Sequence, residues 1–190
     1  MEPETTLEVD SRWLVEMVNE YSTTTRRVAG EVNHPISPPG GGPGMVDRLS
    51  ESELIGVADA WFEVFASAPD PERVAEHLNT LIGRAPSTRR AEVVDGAVVA
   101  ASRHGASTAP RDRLAAAGAE TLLDVVAELG TGRVGVCSAG NCADVFIDRS
   151  PQRNRRYCSL TCQTRERVRR HRERSRASGH TAEGRSRSRR

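Results

Sequence analysis

Four cysteines, Cys137, Cys142, Cys158 and Cys162, lie in the last third of a 190-residue chain with the spacing C-x4-C-x15-C-x3-C. Two close pairs at this separation let four thiolates converge on one metal ion. Zinc accepts four such ligands in a tetrahedron, at Zn–S distances of about 2.3 Å. A catalytic zinc keeps an open position and usually takes His, Asp or Glu ligands, so four cysteines point to a closed, structural site. Two disulfides would need an oxidising compartment, and buried unligated thiols would not explain the pairing. Zn2+ is therefore the expected occupant. No nucleophile–base constellation competes with this site. His34 falls in a Pro-rich loop, His77 on a helix and His104 in a polar stretch, while the glycine run at 40–44 lacks both a preceding strand and a following lysine. An enzyme is not expected.

The segment between the cysteines must fold to bring them together. Cys137-Ser-Ala-Gly-Asn-Cys142 supplies a tight turn, in which Gly140 and Asn141 tolerate the backbone angles of a knuckle. Residues 144–148 form a short β-favouring run with Val145 and Ile147 on one face and Phe146 on the other. A polar loop follows. Cys158 and Cys162, four positions apart, then share one face of a helix's first turn. Knuckle, hairpin and helix N-terminus in that order make a treble-clef-like zinc module. So small a unit has little core, and structural zinc contributes roughly 10–16 kcal/mol in finger peptides. Chelation is expected to unfold residues 137–170 and to leave the upstream domain helical.

Beyond Cys162 nearly every residue from Thr164 to Arg176 is charged, with Val168 as the one apolar anchor onto the finger. Arg165, Arg169 and Arg172 share a helical face, and Arg167, Arg170 and Arg174 a neighbouring one. With Arg155 and Arg156 before the third cysteine, the candidate nucleic-acid contacts are Arg155, Arg156, Arg165, Arg169, Arg170 and Arg172. Arg165 and Arg169, nearest the ordered end, are the expected base contacts. The net charge of +1 hides a split: residues 1–136 hold 12 Arg against 21 acids, and residues 137–190 hold 15 Arg against 5. An acidic body joined to a basic end suits a polyanionic partner. DNA is favoured over RNA, because single-strand recognition displays aromatic platforms and the finger offers only Phe146 and Tyr157.

Upstream, apolar residues recur at helical spacing. Trp13, Leu14, Met17, Val18 and Tyr21 give a helix over 9–26. Ser50 and Glu53 form a capping box opening a helix with Leu54, Val57, Trp61, Phe62 and Phe65. Asp70-Pro71 starts another, carrying Val74, Leu78, Leu81 and Ile82 and ending at Gly83. Residues 110–129 give a fourth, with Leu114, Leu122, Val125, Val126 and Leu129. Residues 31–45, rich in Pro and Gly, read as a flexible loop, and Asp95-Gly96 as the turn of a small hairpin. The fold class is mainly α: a helical domain over 9–130 with a small β-hairpin, a zinc finger with its basic helix over 134–176, and a disordered basic tail over 177–190. No apolar run is long enough for a membrane span, and the opening MEPETTLEVD lacks a secretory pattern. A cytoplasmic, nucleoid-associated protein follows as the expectation.

The run from Cys137 to Arg172 resembles the CGNR zinc finger. Phe146, Asp148, Ser150, Arg155, Arg156, Tyr157, Cys158 and Cys162 stand at the places of its pattern. The upstream segment is similar, more loosely, to the ABATE domain that accompanies this finger, through the helix start from Trp13 to Asn19 and His77-Leu78-Asn79-Thr80-Leu81. One stretch departs: the signature Cys-Gly-Asn-Arg is here Cys162-Gln163-Thr164-Arg165. The resemblance implies a bacterial, stress-linked transcription regulator whose finger binds DNA and whose N-terminal domain senses a small-molecule ligand or stress signal. A protein-interaction finger and an RNA-binding protein are the alternatives. No pattern in the sequence sets an oligomeric state.

Overall fold

The computed structural model describes residues 9–36, 39–94, 96–105 and 108–186. Its helices are α1 (Ser11–Tyr21), α2 (Thr23–Ala29), α3 (Glu51–Ser67), α4 (Pro71–Arg84), α5 (Pro110–Leu129) and α6 (Leu160–Ser186). Two antiparallel hairpins complete it, β1 (Ser87–Val94) with β2 (Ala97–His104) and β3 (Val134–Val136) with β4 (Val145–Ile147). The architecture is mainly helical, as the apolar spacing implies. No described helix is long and apolar enough to cross a membrane.

The core forms around α3, which buries Leu54, Val57, Trp61, Phe62 and Phe65. Helix α1 brings Trp13, Leu14, Met17, Val18 and Tyr21, α4 brings Val74, Leu78 and Leu81, and α5 brings Leu114, Leu122 and Val125. The Trp61 indole donates to the Ala115 carbonyl at 3.0 Å, and its ring fills the space beside Gly118, where a Cβ would lie 2.1 Å away. Trp13 meets Trp61 edge-on at 6.4 Å. Helix starts follow side-chain chemistry: Asp10 and Asp70 accept first-turn amides, and Ser50 and Glu53 close their capping box.

Several elements differ from expectation. The helix over 9–26 breaks at Ser22, where the Ser-Thr run adopts cap geometry instead of continuing. Asp59 on α3 holds the break, accepting from the Ser22 hydroxyl (3.0 Å), the Thr23 amide (2.7 Å) and the Thr23 hydroxyl (2.7 Å). The Pro/Gly-rich loop is pinned, because Arg26 donates to the carbonyls of Glu31, Val32 and His34 and the Trp13 indole donates to that of Pro39. Helix α4 runs one residue past Gly83. The first hairpin is longer than its β-favouring flanks suggest, since Arg89 pairs with Asp124 and Ser87 bonds Glu120, fastening it to α5. Gly96 takes φ +79° in its turn; Asp95 lies outside the described residues.

The expected tail over 177–190 is helical as far as Ser186, and 187–190 lie outside the described residues. No proline interrupts that stretch, so α6 continues through it even though Gly179, Gly184 and the Ser and Thr residues disfavour helix.

The second hairpin is built into the body. Val134 and Val145 are 4% and 1% exposed and belong to the same core as Leu14 and Trp61. Asn19 on α1 clasps β4: its side-chain oxygen accepts from the Val145 amide at 2.7 Å and its NH2 donates to the Val145 carbonyl at 3.3 Å. Arg149 also donates to Ser11. Replacing Asn19 by Ala leaves both backbone groups of Val145 unpaired, so urea unfolding should show a loss of about 1–3 kcal/mol. An unchanged midpoint would mean that water replaces the clasp at no cost.

Candidate metal centre and nucleic-acid interface

The four thiols converge. All four Sγ atoms lie within 4.8 Å of one another, with Cys142–Cys158 and Cys158–Cys162 at 3.6 Å. Zn–S bonds of about 2.3 Å in a tetrahedron require sulfur–sulfur edges of about 3.8 Å, so donor set and spacing both fit Zn2+. Each position has a local cause. The Cys137 amide donates to the Asp144 carbonyl at 2.8 Å, closing the base of the knuckle, and the Cys142 amide donates to Ala139 across it. The Ser138 amide donates to the Arg156 carbonyl at 2.8 Å, tying the knuckle to the loop that delivers Cys158. Ser159 caps α6 by accepting the Cys162 amide at 3.3 Å. Cys158 therefore precedes the cap, and only Cys162 lies within the helix.

Burial pushes the Cys142 thiol up to about 12 and raises that of Cys158 further. At Cys162 burial acts in the same direction but is outweighed by hydrogen bonds from Ser159 and the neighbouring thiols, and its value falls. Bound zinc would be held by the four sulfurs with no open position, and would supply structural cross-linking rather than Lewis-acid chemistry.

The loop that returns the chain to Cys158 is organised by Asp148, which the sequence marked only as part of a family pattern. Its carboxylate is 2% exposed and accepts from the amides of Ser150 (2.9 Å) and Arg155 (3.0 Å). Burial alone would raise its pKa. The hydrogen bonds and nearby Arg133, at 3.5 Å, win and bring it down to about 2. Arg133, itself 8% exposed, donates to the Ser150 carbonyl at 2.7 Å.

The arginines separate into two kinds. Arg155 is a strut: it donates to the carbonyls of Tyr157, Ile147 and Cys158 and lies 5.2 Å from the centre of the Phe146 ring. Its Nε, Nη1 and Nη2 each hold a carbonyl of the finger, so a structural role competes with its candidate contact role. Arg169 is also engaged, bonding both oxygens of Glu166 (2.6 and 2.9 Å) and one of Glu173 (2.6 Å), while Arg170 bonds Glu166 at 2.9 Å. Hydrogen bonds from Arg169, then Arg170, hold the Glu166 carboxyl at about 2. Its 3% exposure comes from these arginines, which cover it where no apolar core does. Arg165 donates to the Asn141 side chain at 3.0 Å. Arg156, Arg167 and Arg172 are exposed and have no acidic partner among the described residues. Val168 does not anchor the helix; it is 42% exposed.

Residues 133–175 match the CGNR zinc finger. The match begins at Arg133, spans the metal centre and covers the first half of α6, and it does not extend into the helical body. Comparison with curated proteins gives no match. Sequence reasoning found all four sulfurs of the matched segment but missed Arg133, Ser159 and the covered state of Glu166 within it, and Asn19 of the helical body that holds it. Ser159 was legible as a cap residue before a helix. The other three act through contacts that local patterns do not encode.

Replacing Asp148 by Asn exchanges charge-assisted bonds for neutral ones, and zinc-loaded protein should lose about 2 kcal/mol in urea unfolding. A depressed carboxylate contributes stability above its unfolded pKa and loses it as pH falls towards 2. The deficit should therefore be equal at pH 5 and pH 7, and a deficit that shrinks by pH 5 would contradict this assignment.

Proposed function

We propose that the chain is a DNA-binding transcription regulator and not an enzyme, acting at the nucleoid, with the CGNR finger and its arginine helix as the contact surface. The observation that carries this reading is a helix rooted in the metal centre that presents exposed arginines, Arg156 beside it and Arg167 and Arg172 on it, without acidic partners. Cations left unpaired on one end of an otherwise acidic chain suit phosphate contacts and counterion release. Duplex DNA is favoured over single-stranded RNA because Phe146 is 6% exposed beneath Arg155, and Tyr157 packs against the cysteine cluster. Neither ring offers a stacking platform of the kind single strands use.

The helical body, through its likeness to the ABATE domain, takes the sensing role in this proposal. Its support is physical continuity: Asn19, at the end of the segment that carries the likeness, is the residue that clasps β4. A cleft of about 700 Å³ between α1–α2 and the finger, bordered by Glu16, Glu31, Asp144 and Arg165, places any small ligand held there against the metal centre. Thermal-shift screening of the full chain against metabolites tests that role, and a negative result across a broad panel would count against it.

Binding to duplex DNA should fall with salt at about −0.9 in log K per phosphate neutralised. Neutralising Arg156, Arg167 and Arg172 together to Gln should flatten that slope by about three units. Selection from random duplexes should enrich a motif with zinc-loaded protein and none after chelation. Binding indifferent to both chelation and these arginines would transfer the finger to protein interaction.

A further inference from the structure

Helix α6 has two unlike sides. At 100° per residue, Glu166, Arg169 and Glu173 project together, while Leu160, Gln163, Thr164 and Arg167 fall at i, i+3, i+4 and i+7 on the opposite side, which carries no acid. Two grooves flank the finger accordingly. One, of about 780 Å³, lies between the knuckle and α6; it holds Arg165, Arg169 and Arg172 but also Glu166 and Glu173. A phosphate entering there meets two carboxylates, and Arg169 already donates to both of them. The other, of about 640 Å³, borders the first turn of α6 and contains Arg149, Arg156, Gln152, Asn154, Leu160 and Gln163. Its one acid, Asp148, is buried and bonded to the amides of Ser150 and Arg155.

This second groove has the chemistry of base readout. Leu160 is 81% exposed, although it opens a helix whose neighbours are arginine and amide side chains. Among the described residues the Gln163 side chain has no hydrogen-bond partner, so its amide is free to give and accept together. A Gln amide matches the N6/N7 edge of adenine in the major groove, and an apolar side chain matches the thymine methyl. Helices that enter the major groove do so with their N-terminal residues against base edges. Gln163 stands where the CGNR signature has glycine, which has no side chain to read with.

We infer that base recognition belongs to the acid-free face of the first turns of α6, with Gln163 reading adenine, Leu160 contacting a thymine methyl, and Arg156 and Arg167 holding the flanking phosphates. This inference rests on the DNA-binding reading above. Arg165 and Arg169, the base contacts expected from sequence, are displaced from that role by Asn141 and by Glu166 and Glu173.

The test uses the zinc-loaded full chain in selections from random duplex DNA, with the parent beside Gln163→Ala, Leu160→Ala and Arg172→Gln. The parent enriches a motif containing A·T pairs. Gln163→Ala loses about tenfold discrimination at one of them. Replacing thymine by deoxyuridine in the motif, which removes the methyl group, weakens the parent several-fold and leaves Leu160→Ala unaffected. Arg172→Gln, in the groove that holds Glu166 and Glu173, leaves the motif unchanged. Both substituted reading residues are exposed, so zinc content and helicity remain those of the parent. If Gln163→Ala enriches the parent motif at full strength, or if Arg172→Gln alters a base preference, the assigned face is wrong while DNA binding stands. If the parent enriches no motif, the inference and the reading beneath it fall together.

Discussion

Everything downstream of the helical body depends on the convergence of four sulfurs. The segment from Cys137 to Cys162 buries only a small cluster of its own, Cys137, Ala139 and Cys162, with Cys142, Tyr157 and Cys158 packed beside it. Such a cluster cannot offset the conformational entropy of ordering the knuckle, the loop and the first turn of a helix. The backbone bonds from Cys137 to Asp144 and from Ser138 to Arg156 place the sulfurs, but burial drives the thiols of Cys142 and Cys158 towards their protonated forms. Four thiols packed at this spacing are consistent with a cation that stabilises them as thiolates. The direction in which α6 leaves the protein is set by that centre, since Cys162 lies in its first turn and Ser159 caps it.

Charge is distributed along α6 with a purpose that composition alone conceals. A helix bearing an arginine at nearly every second position would repel itself, and Glu166 and Glu173 relieve this on one side by gathering Arg169 and Arg170. Relief on one side leaves the other uncompensated. The cationic surface is thus narrower than the arginine count suggests, and it is oriented. Arg155 shows the same economy: stacked on Phe146 and donating to three carbonyls, it works as a structural cross-link that lysine, with no planar fork, would not reproduce.

Much of this was legible in the sequence because the signals were local. Cysteine spacing, the Ser50–Glu53 box, Asp70-Pro71 and the apolar stripes of α1, α3, α4 and α5 each depend on residues a few positions apart. What the sequence concealed was non-local. Ser22 breaks the first helix because Asp59, on another element, rewards the break. The Pro/Gly loop is held by Arg26, whose donors point to carbonyls outside its own helix. Helical periodicity correctly put Arg165, Arg169 and Arg172 on one face, yet it could not show that Glu166 and Glu173 would consume Arg169. Val168 looked like an anchor because it is the one apolar residue in its run, but the body turned out to grip the finger at β3 and β4.

That grip has a thermodynamic consequence. Val134 and Val145 are core residues of the helical body and strand residues of the finger, and Asn19 pairs with the backbone of β4 as a neighbouring strand would. A chain in which one hairpin belongs to two units cannot change the stability of one without changing that of the other. Metal that binds the folded finger more tightly than the unfolded one stabilises β4, and through β4 the packing of α1. Linkage is reciprocal, so any ligand that tightens or loosens α1 alters the metal centre by the same free energy. The face proposed for base reading starts at Leu160 and Gln163, on either side of Cys162. The core residues of β3 and β4 and the knuckle between them join the helical body to the metal centre, so a change in the packing of α1 is felt at the first turn of α6.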